Sequence, residues 1–391
     1  MQSRHSNKKR ERCYNISFLS VLWDAIMKYF SYLYIPITNY QKRKMIKSLT
    51  SLRMLFALMV FVSHCNIVSG VFDVHLMTEG YVGVSFFYVL SGFIIAYSYD
   101  KRFQLGTVTK REFWVARVAR IYPLHWLMLM VTAALGTYTL ANGWCDWLRH
   151  FTLNATLCQA YVPDAGYYFS FNSPSWSLCC EQLFYFCFPF LAPLLHKPRT
   201  LMALFMLSAM AVVVGMGITG EGMARDIWYV NPIARFPDFL LGMLVYAASQ
   251  RKANAVPGRS YATWSEVGAL VLFAAFYVLS AYVPKVYRYS CYYWVPVACV
   301  VYVFSRQRGA LSRALAWRPF VWCGEISFGF YLIHHLLFRR YVEACRHLSL
   351  PFPPYVAVGV VLTATLALSA ASFYGFERPM TKLVKRFLSK K

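Results

Sequence analysis

Residues 51–64 read SLRMLFALMVFVSH, an uncharged run from Met54 to Ser63 held between one arginine, Arg53, and one histidine, His64. Extended to residue 70, the stretch approaches the roughly 20 apolar residues that a helix needs to cross the hydrocarbon core of a bilayer. The two ionisable residues are eleven positions apart. That is almost three helical turns, so both side chains project from the same face, about 16 Å apart along the axis. An ionisable group at membrane depth is costly, and each one is a functional hypothesis by default. This segment therefore predicts a spanning helix with chemistry along one face.

The rest of the chain repeats the apolar theme. Hydrophobic residues make up 58% of the 391 and charged residues 14%, with a mean hydropathy of +0.42, whereas an ordinary soluble domain is about 25% charged. The 31 Phe, 29 Tyr and 11 Trp supply the aromatic side chains that settle at membrane interfaces. The fold class expected is all-α, a polytopic transmembrane helical bundle of about ten spans. These are residues 52–70, 80–98, 114–135, 174–194, 201–219, 231–249, 263–283, 289–305, 320–340 and 354–376. Residues 16–37 are apolar but carry Asp24, Lys28 and Pro36, which favours a helix lying on the membrane surface. The division expected is a basic N-terminal segment, 1–47, a transmembrane domain, 48–380, and a basic tail, 381–391. No internal repeat and no cleavable signal are evident.

A net charge of +24 would suggest nucleic acid in a soluble protein, but here the charges fall in short clusters between apolar blocks. KKRER at 8–12, KRKMIK at 42–47, HKPR at 196–199, SRQR at 305–308 and KRFLSKK at 385–391 are examples. The intervening loops are poor in Lys and Arg, the pattern of the positive-inside rule, and both termini are expected in the cytoplasm. Residues 339–354, RRYVEACRHLSLPFPP, depart from it. The eleven cysteines suit small core residues; a Cys145–Cys158 bridge in the long outer loop is left open.

Sorted by expected depth, the polar residues of the spans form two layers. The inner one holds Arg53, Arg117 and Arg120, the last two on one helical face, with Glu377 and Arg378. Guanidinium forks at a membrane mouth suit a polyanion, although each arginine singly also suits snorkelling to headgroups. The outer layer holds His64, Glu181, Arg235, Asp238, His334 and His335. A carboxylate and an imidazole at matching depth form a base and its orienting partner, while His334 and His335 point about 100° apart and make a poor chelating pair. No metal site is expected. A ligand gripped at Arg53 needs a long, thin, uncharged arm to reach His64, which is the shape of coenzyme A.

Six stretches, in order, resemble the acyltransferase 3 family of membrane proteins. SLRMLFALMVFVSH is similar to its Arg/Lys-x10-His opening, GYVGVSFFYVLSGFIIAYSY at 80–99 to its second helix, and FWVARVARIYPLHW at 113–126 carries its Arg-x-x-Arg. SPSWSLCCEQLFYFCFP at 173–189, ISFGFYLIHH at 326–335 and GFERP at 375–379 also fit. The resemblance implies a multi-pass protein of the bacterial inner membrane that moves an acyl group, acetyl by default, from cytoplasmic acyl-CoA to a hydroxyl of a surface or secreted polysaccharide. It implies catalytic roles for His64 and Glu181 and donor binding by Arg53, Arg117 and Arg120. Trp176, Arg235 and His334 are expected at the acceptor, with Tyr161, Tyr167 and Tyr168 as further stacking surfaces or as an interfacial belt. Partners expected are acetyl-CoA, a carbohydrate, membrane lipids and polysaccharide biosynthesis or export proteins, not nucleic acid. Some relatives carry a fused esterase-like domain; none is evident here, so the chain is expected to act alone or with separate partners. The rival reading is a transporter or flippase whose buried charges line a glycan pathway.

Overall fold

The computed structural model describes residues 45–139, 141–250, 258–348 and 353–389, which contain helices and turns and no strand. The expected surface helix at 16–37 lies outside the described residues. Helices of ten residues or more are α1 (Lys47–Ser63), α2 (Val82–Gln104), α3 (Lys110–Ala134), α4 (Trp144–Ala155), α5 (Trp176–Leu191) and α6 (Pro198–Ile218). They continue with α7 (Phe236–Ser249), α8 (Arg259–Leu279), α9 (Trp294–Ser305), α10 (Arg318–Leu348), α11 (Pro354–Ser372) and α12 (Arg378–Ser389). Every segment expected to span is helical. Seven of them are long and apolar enough to cross a membrane.

The three others fall short for separate reasons. α3 has the length, but Lys110, Arg111, Glu112, Arg117 and Arg120 crowd its first half. It starts earlier than expected because Thr109 and Glu112 form a reciprocal capping box, which satisfies two orphan N–H groups. α7 and α9 are short. In α7 the start is delayed to Phe236 by Asn231 and Pro232, with Pro237 in the first turn, where a missing N–H costs nothing. The expected loop at 339–354 is also corrected: α10 continues through it to Leu348. At 31 residues and 1.5 Å per residue, α10 outreaches the hydrocarbon core. Its basic stretch is helix end, with Arg340 bonded to Glu343 and to the Leu135 carbonyl. The described part of the basic tail is helical: it belongs to α12, joined to α11 through a π-helical turn, Phe373–Glu377.

Bonds between helix ends sort into two sets, so the helices alternate in direction. One end joins Lys47 to Gln307, Asp100 to His196, Glu266 to Gly309 and Arg120 to Glu377; this is the basic end. The opposite end joins Ser85 to Arg235, Glu79 to Tyr293 and Tyr168 to Asp226.

Small residues let backbones meet. A Cβ on Gly92 of α2 would strike the Phe239 carbonyl of α7, and one on Gly242 would strike the Val89 carbonyl, the close approach by which helices associate in lipid. α1 is packed between α2 and α10. It is pinned by Ser48 Oγ donating to the Phe304 carbonyl at 2.7 Å and Ser51 Oγ to the Leu315 carbonyl at 2.6 Å.

Candidate active site

Where α1 ends, a cavity of about 450 Å³ opens among α1, α2, α5 and α10, lined by His64, His334, His335, Trp176, Tyr229 and Tyr331, among others. His64 closes α1, and α10 brings two histidines to it, with ring centroids at 5.1 Å for His334 and 5.2 Å for His335. His334 is fully buried. Its Nδ1 lies 3.2 Å from the Phe330 carbonyl and its Nε2 lies 3.2 Å from His64 Nδ1. His64 Nδ1 is also 2.9 Å from the Val60 carbonyl.

These acceptors assign the tautomers of the neutral rings. A carbonyl beside each Nδ1 puts a proton there on both. His334 donates to Phe330 and turns its Nε2 lone pair to His64, whose Nδ1–H is shared between that lone pair and Val60. His64 Nε2 is left with a lone pair that has no hydrogen-bond donor among the described residues, in a ring that lines the cavity. This is the protonation pattern of an oriented base.

Below it, toward the basic end, lies a smaller cavity of about 50 Å³, lined by Arg53, Glu181, Tyr88, Ser177, Ser327 and Phe328, among others. Val84 and Tyr331 line both cavities and stand where the two meet, as a shared wall. Glu181 accepts from Tyr185 Oη at 2.6 Å. Arg120 stands over the Phe328 ring, 5.0 Å from its centroid, and pairs with Glu377 at 3.7 Å. Arg117 donates to Tyr99 Oη at 3.2 Å and lies among the Tyr99, Phe113 and Tyr185 rings. Arg102 stacks on the same Tyr99 ring. Buried Nε atoms of Arg102 and Arg117 have no hydrogen-bond partner among the described residues, and such groups are strong sites for an anionic oxygen.

The structure thus brings His64, His334 and Trp176 together in one cavity and Arg53 with Glu181 in the other. Glu181 is displaced from its expected layer. It lies five residues inside Trp176, about 7.5 Å deeper along α5, and faces the arginines instead of His64. Arg235 lines neither cavity. It is fully buried, donating to the Tyr289 carbonyl, to Ser85 Oγ at 2.7 Å and to Asp238 at 3.3 Å, while Asp238 accepts from Ser290 at 2.8 Å. It is a strut across three helix ends. Tyr167 stacks on His150 and Tyr168 bonds to Asp226; neither they nor Tyr161 line the cavity.

In their place stand Phe169 and Tyr229. Tyr229 is presented by a π-helical turn, Arg225–Val230, of the kind that often marks functional sites. The sequence cue was the tyrosine two residues before Asn231-Pro232. Tyr331, the shared wall, went unread although it lies within the quoted 326–335 stretch. Cys145 and Cys158 are both free thiols. Among the described residues no group of three or more His, Cys, Asp or Glu could hold a metal ion.

The family model described as an acyltransferase domain matches residues 46–372. The chain is 29% identical to Acyltransferase MdmB of Streptomyces mycarofaciens over 75% of its length and 79% of that protein's. It is 26% identical to the exopolysaccharide production protein ExoZ of Rhizobium meliloti, over 79% of the chain and 92% of that protein. It is 25% identical to the peptidoglycan O-acetyltransferase OatA of Listeria monocytogenes over 88% of the chain. The chain spans little more than half of that relative, 57%. No solved structure matches.

Proposed function

The chain belongs to this family of membrane acyltransferases, and we propose that it moves an acetyl group from acetyl-CoA to a hydroxyl of a cell-surface or secreted polysaccharide. The observation that carries the reading is the order of groups along α1: a histidine-lined cavity of about 450 Å³ at its end and, toward the basic end, Arg53 with Glu181 in a small second cavity. Arg102, Arg117 and Arg120 lie outside both cavities, and with them the order suits a donor with a polyanionic head and a reactive tip.

Acetyl-CoA enters at the basic end, which we read as cytoplasmic. Arg102, Arg117 and Arg120 hold its phosphates as charge-assisted bonds, and Arg53 meets the arm within the bundle. Its thioester reaches the wall at Tyr331. The acceptor hydroxyl enters the upper cavity, against Trp176 and Tyr229. His64 Nε2 takes the hydroxyl proton as the oxygen attacks the thioester carbonyl; the new C–O bond forms, the C–S bond breaks, and the thiolate recovers a proton. His334 and Val60 hold the His64 ring in the acting tautomer. Glu181 sits with Arg53 and positions it, a role distinct from orienting the base. A membrane of bacterial inner type is the setting this reading requires.

The test uses the full chain in nanodiscs, with thiol release from acetyl-CoA followed with and without envelope polysaccharide. Polysaccharide-dependent release that disappears in His64→Ala, with acetyl-CoA still bound, supports the reading. A wild type that consumes no thioester while labelled glycan crosses the bilayer would favour the flippase.

A further inference from the structure

A third cavity, of about 350 Å³, lies away from both others, between α8, α9 and the turn that follows α9, and its lining includes Tyr261, Ser265, Glu266, Tyr302, Arg306 and Arg308. It sits at the basic end. Its one carboxylate is spent on the backbone: Glu266 accepts N–H groups from Gly309 at 2.9 Å, Leu311 at 2.9 Å and Ser312 at 3.2 Å. Gly309 lets the carboxylate come this close, since a Cβ there would push it away. The carboxylate's hydrogen-bonding capacity is taken up by the backbone, so neither arginine is paired with it, and with two arginines to one carboxylate the lining carries a net positive charge. Arg306 donates to Tyr302 Oη at 2.6 Å and stacks on that ring, which holds its guanidinium in place. Arg308 is exposed.

The surroundings say which anion this fits. Only 11% of the apolar window of α8 is buried by protein, so this helix faces lipid along its length. At its basic end Tyr261 and Trp264 are 67% and 72% exposed, in the place of an interfacial aromatic belt. A phosphate arriving at this depth and on this face is carried by a lipid. Basic pockets between helices at such a level take anionic headgroups. We propose that this cavity binds the phosphate headgroup of an anionic phospholipid through Arg306 and Arg308.

Occupancy bears on α1. The same turn accepts the Lys47 N–H on Gln307 Oε1 at 2.9 Å, and Ser48 bonds to Phe304 just before it. A bound headgroup thus braces the segment that anchors the helix carrying Arg53 and His64.

Native mass spectrometry of the detergent-solubilised full chain, titrated with phosphatidylglycerol or phosphatidylcholine, tests this. The wild type is expected to prefer phosphatidylglycerol, and Arg306→Gln/Arg308→Gln to weaken that binding about thirtyfold, the product of two basic side chains near an anionic leaflet. Ala262→Trp, which fills the cavity and keeps both arginines, is expected to remove the preference too. Arg259→Gln, outside the cavity, is expected to keep it. Unchanged phosphatidylglycerol binding in the double variant, or in Ala262→Trp should the double variant fail to fold, overturns the proposal. Displacement of phosphatidylglycerol by millimolar sn-glycerol 3-phosphate overturns it as well, because the ligand would then be a soluble phosphate.

Discussion

Replacing His334 by Phe isolates what the second histidine contributes. The ring is fully buried between Phe61 and Phe330, so a phenyl ring keeps most of the packing. What is lost is the lone pair that accepts from His64 Nδ1 at 3.2 Å and the bond to the Phe330 carbonyl. A neutral hydrogen bond is worth about 0.5–1.5 kcal/mol net, and the contact is long. His64 Nδ1–H retains the Val60 carbonyl at 2.9 Å, so the acting tautomer survives. At about 1.4 kcal/mol per factor of ten, kcat/KM is expected to fall roughly two- to tenfold in His334→Phe. His64→Ala is expected to lose about 10²–10⁴, the usual worth of a general base. The assay is acetyl-CoA-dependent thiol release with acceptor present, on monodisperse protein whose thermal unfolding matches wild type. Should His334→Phe prove as inactive as His64→Ala while folded, the base has been assigned to the wrong ring.

Three further outcomes are expected. Arg53→Gln should raise KM for acetyl-CoA roughly tenfold or more, as loss of a charged contact does, and an unchanged KM would remove Arg53 from the donor path. Tyr331→Ala opens the wall between the cavities, so thiol release without polysaccharide should rise relative to release with it; a constant ratio would show that the wall does not keep water from the thioester. Gly242→Val forces α7 off α2 and should cost roughly 3 kcal/mol or more, read as a lower unfolding temperature. Gly268→Val, where a Cβ meets nothing within 4 Å, should be close to neutral by the same measurement.

The sequence made α1 legible because its message runs along one helix: an apolar run, two ionisable residues, and a spacing that sets their shared face. His334 reads from the sequence for a related reason, as a histidine near the outer end of an apolar run, and Trp176 reads as an outer-loop aromatic; both line the upper cavity. Glu181 was misplaced because depth along a helix was judged from loop boundaries, and five residues of error move a side chain from one cavity to the other. Arg235 shows the other gap. Periodicity gives a face but not its partner, and only the fold reveals that Ser85, Tyr289 and Asp238 consume its donors. Tyr331 could not be recognised as a wall without knowing that two cavities meet there. The late start of α7 escaped because apolar composition continues through a turn that Asn231 and Pro232 have already broken, whereas α9 reads as a short span from the sequence.

The lower cavity, at about 50 Å³, is small, with room for a few water molecules at most. Under the proposed reaction, two aqueous compartments approach each other through the protein to within the breadth of a tyrosine and a valine. A continuous water column there would carry protons down the membrane potential at every turnover and at rest. On that proposal a closed neck at Val84 and Tyr331 would also serve as an electrical insulator, with the donor's thioester filling whatever gap it opens. Proton tightness and catalysis then rest on the same two side chains.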